Sequence, residues 1–364
     1  MNYGNFNQFM RNHHYLFKSY SAVILKFVFL IFLFTFVIYG CSAFQKTEIP
    51  TATIIPPTSL PSPLPIRTAT PLGSLDNPVV IGHIVNSNSQ AIQAAGQEMI
   101  DYLSQETGLS ITYRVFEDGK AAFELLRNKE IDFIWLQPLT YLAAYDRDLI
   151  TPLFVSNHFG LFKYGTQFLA NKSSGFIQYF DVATNKNTTT EDIALVQFEG
   201  KRPCWTEPSS LSGSIIAYGL LARNGIHFLP PAYTQSHSST VRALYIKGIC
   251  DFGATFAYSG DPRTSSQVIS DLSDAMDQII IIWRSEPVIP SLSFHVATST
   301  PDNVKTQLSD AMIKLSQLEN GNSIYTSALD YDFQGLMEID NDYFFQVKEL
   351  VNAAKIVPFQ HLGN

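Results

Sequence analysis

Cysteine is scarce in this 364-residue sequence, which has three cysteines, Cys41, Cys204 and Cys250, and no CxxC pair. The eight histidines show no spacing typical of a metal site, so we expect neither a metal nor a cofactor. A Gly-x-Ser-x-Gly nucleophile elbow and a glycine-rich phosphate loop that ends in lysine are also missing from the sequence. We therefore expect that the chain is not an enzyme.

Positive charge is scarce as well. The chain has 24 Lys and Arg against 32 Asp and Glu, a formal net charge of −8. Three basic residues and no acidic residue precede Cys41, so the chain from Cys41 onward has 21 basic and 32 acidic residues and a net charge of −11. No basic stripe is visible, which argues against nucleic acid as a partner. An anionic ligand would have to be held by local hydrogen-bond donors.

The N-terminal residues 1–40 are typical of a signal peptide. An apolar run at residues 27–39 is about 13 residues long, shorter than the roughly 20 of a membrane span. It ends at Gly40-Cys41, which resembles a bacterial lipoprotein cleavage box whose cysteine is lipidated. The alternative is an uncleaved signal anchor, because Ala22–Leu25 extends the run and only Lys26 interrupts it. Both interpretations place the rest of the chain outside the cytoplasmic membrane, and we expect a lipid anchor at Cys41.

Residues 41–76 are rich in proline, threonine and serine and predict an extended tether that cannot form a core. We expect the folded body to begin near Asn77. Cys204 and Cys250 lie in or beside strands of one predicted lobe. An exported chain permits a disulfide between them, and two buried free thiols remain the alternative.

Hydroxyl groups crowd the start of a predicted helix in the segment Glu207–Gly213, which reads Glu-Pro-Ser-Ser-Leu-Ser-Gly. A short strand precedes it, and the helix that follows ends at Asn224-Gly225. The unpaired N–H groups and the dipole at a helix N-terminus favour an anion, and serine adds donors without adding charge. Capping by a single serine is the alternative, but three serines favour a ligand.

Strand and helix patterns alternate twice along the chain, first over 78–136 and again from about 193 to 256. This alternation predicts an α/β fold with two lobes, each a mixed or mostly parallel sheet flanked by helices, and a ligand cleft between them. We expect residues 77–168 and 280–364 to form the first lobe and residues 169–279 the second. Ligand sites in such sheets lie at the carboxyl ends of the strands.

Five segments occur in an order and spacing that suggest a family: Ile134–Tyr141, Glu207–Gly213, Ser236–Leu244, Asp251–Phe256 and Trp283–Pro290. They resemble signature segments of the phosphate, phosphite and phosphonate substrate-binding proteins of ABC importers, and the resemblance covers roughly residues 79–320. Gln137, Leu211 and Ser238 stand where this family usually has glycine, threonine and an acidic residue.

The resemblance implies a type II periplasmic-binding fold that closes about a hinge on its ligand. Carried over to this sequence, Ser209, Ser210 and Ser212 would bind the oxyanion, with Gly213 in the same loop. His237 would donate a further hydrogen bond, and a bound dianion would favour its protonated form.

Trp135 and Tyr141 would form the opposite wall of the cleft. Strand ends add three further candidates, Ser87, Thr255 and Tyr258.

The partners implied are a small oxyanion and an ABC permease in the membrane, and we expect a monomer. Two alternatives stay open at this point. The first is a sensory module of the same fold that does not transport. The second is a receptor for another small anion such as a sulfonate.

Overall fold

The structure, a computed structural model, describes residues 70–85 and 88–362. The predicted signal peptide, Cys41, the tether as far as residue 69 and Ser87 lie outside the described residues. The packed body begins slightly before Asn77, because the Gly73 carbonyl accepts a hydrogen bond from Ser110 N at 2.7 Å. None of the helices in the described part of the chain has the length and apolar character needed to cross a membrane.

The described residues contain fourteen strands. In chain order they are β1 (Val79–Ile84), β2 (Ile111–Phe116), β3 (Phe133–Leu136), β4 (Ile150–Ser156), β5 (Lys163–Asn171), β6 (Phe180–Asp181), β7 (Lys186–Asn187), β8 (Pro203–Trp205), β9 (Ala232–Tyr233), β10 (Phe252–Ala257), β11 (Ile279–Arg284), β12 (Ile289–Pro290), β13 (Ser293–Ala297) and β14 (Leu336–Glu338).

Twelve α-helices accompany them in the same part of the chain. They are α1 (Ser89–Ala95), α2 (Gln97–Thr107), α3 (Gly119–Arg127), α4 (Pro138–Tyr145), α5 (Glu191–Leu195), α6 (Ile216–Arg223), α7 (His237–Ile246), α8 (Ser266–Ile269), α9 (Ala275–Gln278), α10 (Asp302–Ser316), α11 (Gly321–Leu329) and α12 (Phe345–Ala353).

Two mixed sheets define two lobes, as the sequence predicts. The first sheet has the strand order β14-β4-β13-β3-β1-β2, with parallel pairing of β1 to β2 and β3 and antiparallel pairing of β13 to β3 and β4. The second has the order β11-β5-β10-β8-β9, with β12 paired to β5. The parallel strands are joined through covering helices, which is the connection that parallel pairing requires.

The chain crosses between the two sheets at residues 157–162, between β4 and β5, and at residues 291–292, between β12 and β13. The expected boundaries after residue 168 and before residue 280 both fall inside strands of the second sheet, β5 and β11. These two strands pair antiparallel with each other. Sequence reasoning had placed no strand between residues 137 and 193 and so missed β4 and β5.

The position of the last helix, α12, also departs from the expectation that residues 280–364 belong to the first lobe. Helix α12 packs on α6 of the second lobe, where an added Cβ at Gly219 would lie 2.2 Å from the Leu350 carbonyl oxygen. Apolar side chains of α12 and of both lobes form one continuous buried cluster.

Cys204 and Cys250 are joined by a disulfide, with their Cα atoms 5.6 Å apart. Cys204 lies on β8, and Cys250 lies just before β10, the strand that pairs with β8. The neighbouring strands therefore bring the two thiols together, which decides between the two alternatives that the sequence left open.

Candidate functional site

A cavity of about 700 Å³ lies between the two lobes. The first lobe contributes Ile84 and Val85 at the end of β1, and the second contributes Glu207, Pro208 and Ser209 just after β8. The cavity therefore lies at the carboxyl ends of strands in both sheets, which is where ligands bind in open α/β sheets.

The second-lobe wall is built by the serine-rich segment. Ser209 is half-buried and lines the cavity. Ser210 is the N-cap, and its hydroxyl accepts a hydrogen bond from Gly213 N at 3.1 Å. One turn of π-helix, Leu211–Ile215, follows and continues directly into α6. The loop thus both caps this helix and presents its N-terminus to the cleft.

Ser212 and Gly213 are buried behind that wall. The Ser212 carbonyl accepts a hydrogen bond from the Thr166 hydroxyl at 2.5 Å, which ties the loop to β5. Gly213 lies so close to Thr206 that an added Cβ would come within 2.1 Å of its hydroxyl oxygen. Neither residue lines the cavity, so both support the loop from behind.

The first-lobe wall is built by two further helix starts. Gly119 is the first residue of α3, whose N-cap Asp118 accepts a hydrogen bond from Lys120 N at 2.8 Å. Gln137 is the N-cap of α4 and Thr140 lies in its first turn. Proline at the first position of α4 suits a helix start because its missing N–H is not needed there.

A fourth helix start reaches the cavity through Gln235, which precedes Ser236, the N-cap of α7. The Ser236 hydroxyl accepts a hydrogen bond from Ser239 N at 3.1 Å. Two helices of each lobe therefore direct their N-termini toward one cavity. Each N-terminus carries about half a positive charge in its unpaired N–H groups, so the cavity favours an anion.

Charged side chains in the cavity lining are acidic. Glu117 projects from the first lobe and Glu207 from the second, and none of the described lining residues is lysine or arginine. Hydrogen bonds from Ser89, including one from its backbone N–H at 3.0 Å, lower the pKa of Glu117 and keep it ionised. The cavity thus combines the helix N-termini with two carboxylates.

Two buried polar atoms beside the serine-rich loop have no hydrogen-bond partner within the described structure, Thr206 Oγ1 and His237 Nδ1. His237 is the first residue of α7 and packs edge-on against Phe256, with ring centroids 4.8 Å apart. Burial lowers the pKa of His237 to about 4, so the ring is neutral at pH 7. His237 is not among the residues that line the cavity.

Trp135 does not wall the cleft. It is fully buried in the first-lobe core, where its ring packs on Phe294 at 4.8 Å and on Tyr325 at 6.1 Å. The expectation that Trp135 walls the cleft is therefore wrong, because strand β3 is buried on both faces.

Tyr141 is buried too, on the inner face of α4. Its hydroxyl donates to Asn341 Oδ1 at 3.0 Å, and its ring stacks on His295 at 4.7 Å. Burial raises its pKa. Gln137 and Thr140, at the start of α4, line the cavity instead of Tyr141.

The other two strand-end candidates also lie outside the cavity lining. Thr255 is fully buried and its hydroxyl accepts from Gln167 at 3.3 Å. The Tyr258 hydroxyl donates to the Ser285 carbonyl at 2.8 Å. Both hydroxyls therefore have partners within the second lobe.

Of the cavity-lining residues, sequence reasoning named only Ser209 as ligand-binding. It missed the other polar residues of the lining, which are Glu117, Gln137, Thr140, Glu207, Gln235 and His361. A strand end followed by a helix start was an available signal for Gln137, whereas His361 lies far along the chain from every motif. Within the described residues no cluster of three His, Cys, Asp or Glu side chains could hold a metal ion.

Comparison with known proteins agrees with this architecture. Residues 81–344 match the family described as "ABC transporter, phosphonate, periplasmic substrate-binding protein". The phosphate-import protein PhnD of Mycolicibacterium smegmatis is 21% identical over 253 residues, which cover 65% of this chain and 73% of that protein.

Solved structures show the same fold. XAC2383 from Xanthomonas citri, bound to chloride ion, has a TM-score of 0.57 at 17% identity and covers 76% of this chain and 97% of its own. PhnD1 from Prochlorococcus marinus, in complex with methylphosphonate, has a TM-score of 0.50 at 13% identity and covers 77% and 98%. These findings confirm the two-lobed fold and the family that the sequence motifs predict. The chain belongs to the family of periplasmic substrate-binding proteins of phosphonate ABC transporters, which are extracytoplasmic receptors rather than enzymes and serve a membrane permease.

Proposed function

We propose that this chain is a lipid-anchored receptor that closes on a phosphonate-type oxyanion and delivers it to an ABC importer. The observation that carries the proposal is the convergence of four helix N-termini, two from each lobe, on the interlobe cavity. Backbone N–H groups and the Ser209 hydroxyl would supply neutral donors that replace the water around the anion.

Hinge closure follows from the division of these donors between the lobes. Neither lobe alone can surround an anion, so a ligand binds the closed form more tightly and shifts the population toward it. The crossing segments 157–162 and 291–292 are short and would serve as the hinge. Small-angle X-ray scattering should show a smaller radius of gyration after the ligand is added, and an unchanged radius with bound ligand would refute closure.

The two carboxylates favour a ligand that also carries a positive charge. Glu117 and Glu207 would repel a simple dianion, whereas an ammonium group beside them would be attracted. An aminoalkylphosphonate such as 2-aminoethylphosphonate combines both charges. We therefore propose that the oxyanion end meets the helix N-termini and that the amine meets the carboxylates.

The serine-rich loop supplies the residues nearest the oxyanion in this proposal. Ser209 would donate directly, while Ser210, Ser212 and Gly213 hold the loop in shape. Thr206 and His237 do not line the cavity, but each has a buried polar atom that lacks a partner in the described structure, so closure of the lobes would have to bring these atoms to the ligand. An approaching dianion would raise the pKa of His237 from its depressed value.

The lipid anchor rests on the sequence around Cys41. Metabolic labelling with a fatty acid should mark the wild-type protein in bacterial cells, and Cys41→Ala should remove the label. A labelled C41A protein, or an unlabelled wild type that keeps residues 1–40, would support an uncleaved signal anchor instead.

Thermal unfolding of the full chain in detergent tests the ligand. The panel is phosphate, phosphite, methylphosphonate, 2-aminoethylphosphonate, sulfate and taurine. A ligand at 100 times its Kd should stabilise the native state by about 2.7 kcal/mol, a shift of several degrees. Ser209→Ala should reduce the shift, while Ser270→Ala, an exposed serine of the second lobe, should not.

A shift with sulfate or taurine alone would replace the phosphonate proposal by a sulfur oxyanion receptor. No shift with any compound, in a protein that unfolds cooperatively, would refute oxyanion binding.

A further inference from the structure

The segment at residues 341–362, here called the C-terminal strap, contacts both lobes. It begins on the first lobe, where Asn341 accepts the hydrogen bond from Tyr141 and the Phe344 ring lies 3.8 Å from the Tyr141 ring. It continues as α12 on the second lobe, with the Leu350 backbone against Gly219.

The strap then returns to the first lobe through Phe359. The Phe359 ring meets the Phe123 ring edge-on at 5.0 Å, and the Arg147 guanidinium lies over the Phe359 ring, 4.3 Å from its centroid. Phe359 belongs to the 3-10 turn Pro358–His361. Because Phe123 is on α3 and Arg147 follows α4, this turn is fixed to the two helices that form the first-lobe wall.

The end of the strap lines the ligand cavity. His361 and Leu362 lie in the same lining as Ser209, Glu117 and Gln137. His361 is the one described lining side chain that can carry a positive charge, and its Nδ1 is buried with no partner within the described structure. An unpartnered ring nitrogen at a ligand cavity is unfavourable unless the ligand satisfies it.

We propose that His361 is a ligand-binding residue of the cleft and that the C-terminal strap positions it there. This inference rests on the proposed function. It goes beyond the residues that define the family, because the family match ends at residue 344. An imidazole N–H would donate to an oxyanion oxygen, as a third contribution beside the donors of the two lobes.

Isothermal titration of the full chain in detergent with methylphosphonate and 2-aminoethylphosphonate tests the inference. His361→Ala should weaken binding of whichever compound the wild type binds by about tenfold, since one hydrogen bond to a charged group is lost. His361→Gln keeps an N–H donor and should stay within about threefold of the wild type. Gln360→Ala, an exposed neighbour in the same turn, is the matched control and should bind as the wild type does.

Phe359→Ala tests the role of the strap, because it removes the anchor while His361 remains. Its affinity should fall as far as that of H361A, and wild-type affinity in F359A would refute positioning by this turn. Unchanged affinity in H361A, in a protein whose wild type binds, would refute the inference alone. A wild type that binds neither compound would refute the proposed function as well.

Discussion

Replacement of Gly219 tests most directly whether α12 of the C-terminal strap packs closely on α6. Gly219 lies in α6, where replacement of glycine by alanine ordinarily stabilises a helix by about 0.5–1 kcal/mol. In this structure the new Cβ would lie 2.2 Å from the Leu350 carbonyl oxygen and 2.8 Å from the carbonyl carbon. Both are backbone atoms of α12, so no side-chain rotation can relieve the contact.

The expected effect of Gly219→Ala therefore has the opposite sign to helix propensity. Overpacking a buried contact typically costs about 1–3 kcal/mol, which exceeds the gain from alanine. We expect a net loss of about 0.5–2 kcal/mol of unfolding free energy. Because α12 must move away from α6, ligand affinity should also fall if the strap positions His361.

Urea unfolding of the wild type and G219A, followed by tryptophan fluorescence, measures the change in unfolding free energy. The change appears as a shift of the urea midpoint while the slope m stays constant. A variant that is more stable than the wild type by the ordinary helix increment would refute the close packing of α12 on α6. A loss of stability with unchanged affinity would support the packing and refute the link to the cleft.

Three further predictions concern the disulfide, buried histidines and the charge of the ligand. Replacing Cys204 and Cys250 together by alanine should cost about 2–4 kcal/mol of unfolding free energy, because the bond joins residues 46 apart, and an unchanged urea midpoint would refute a structural bond. Burial lowers the pKa of His83 to about 4 and that of His295 to about 3, so the unfolded chain binds protons below pH 6.5 that the native chain does not. Stability should thus fall as the pH drops from 6.5 toward 4, by about 2 kcal/mol for His83 between pH 7 and pH 5, and His83→Gln should flatten the profile. Glu207→Gln should weaken 2-aminoethylphosphonate about tenfold and strengthen methylphosphonate in titration calorimetry, because the carboxylate attracts the amine and repels a simple dianion, while weaker binding of both would refute the contact with the amine.

Much of the fold could be predicted from the sequence because short local signals determine it. The alternation expected over residues 78–136 is present from β1 to β3, and the helix that follows the serine-rich segment ends at Arg223, just before Asn224-Gly225, as predicted. Strands β4 and β5 were missed although β5 is central to the second sheet. The polar and aromatic residues of β5 give no clear alternation, and its place in the sheet depends on long-range pairing rather than on local pattern.

The candidate site was predictable only in part. The sequence predicts that the serine-rich segment lies at the ligand cleft, because this segment directly follows a strand end and directly precedes a helix start. Ser209 of this segment lines the cavity. Trp135 and Tyr141 were assigned to the cleft from a motif, but their large rings are buried, and the polar residues beside them face the cavity instead. A sequence motif identifies a segment of the chain, whereas the backbone conformation of that segment decides which of its side chains face the cavity.

The proposed site also explains how an acidic protein would bind an anion. A net charge of −8 acts through solvent, where screening reduces it over about 10 Å, whereas the helix N-termini act at contact distance. Donors fixed by α3, α4, α6 and α7 would need no rearrangement within each lobe when the ligand enters, and they add no full charge that would attract every passing anion. Glu117 and Glu207 would then penalise anions that lack a positive group. Selectivity in this cleft would therefore come from what the lining repels as much as from what it binds.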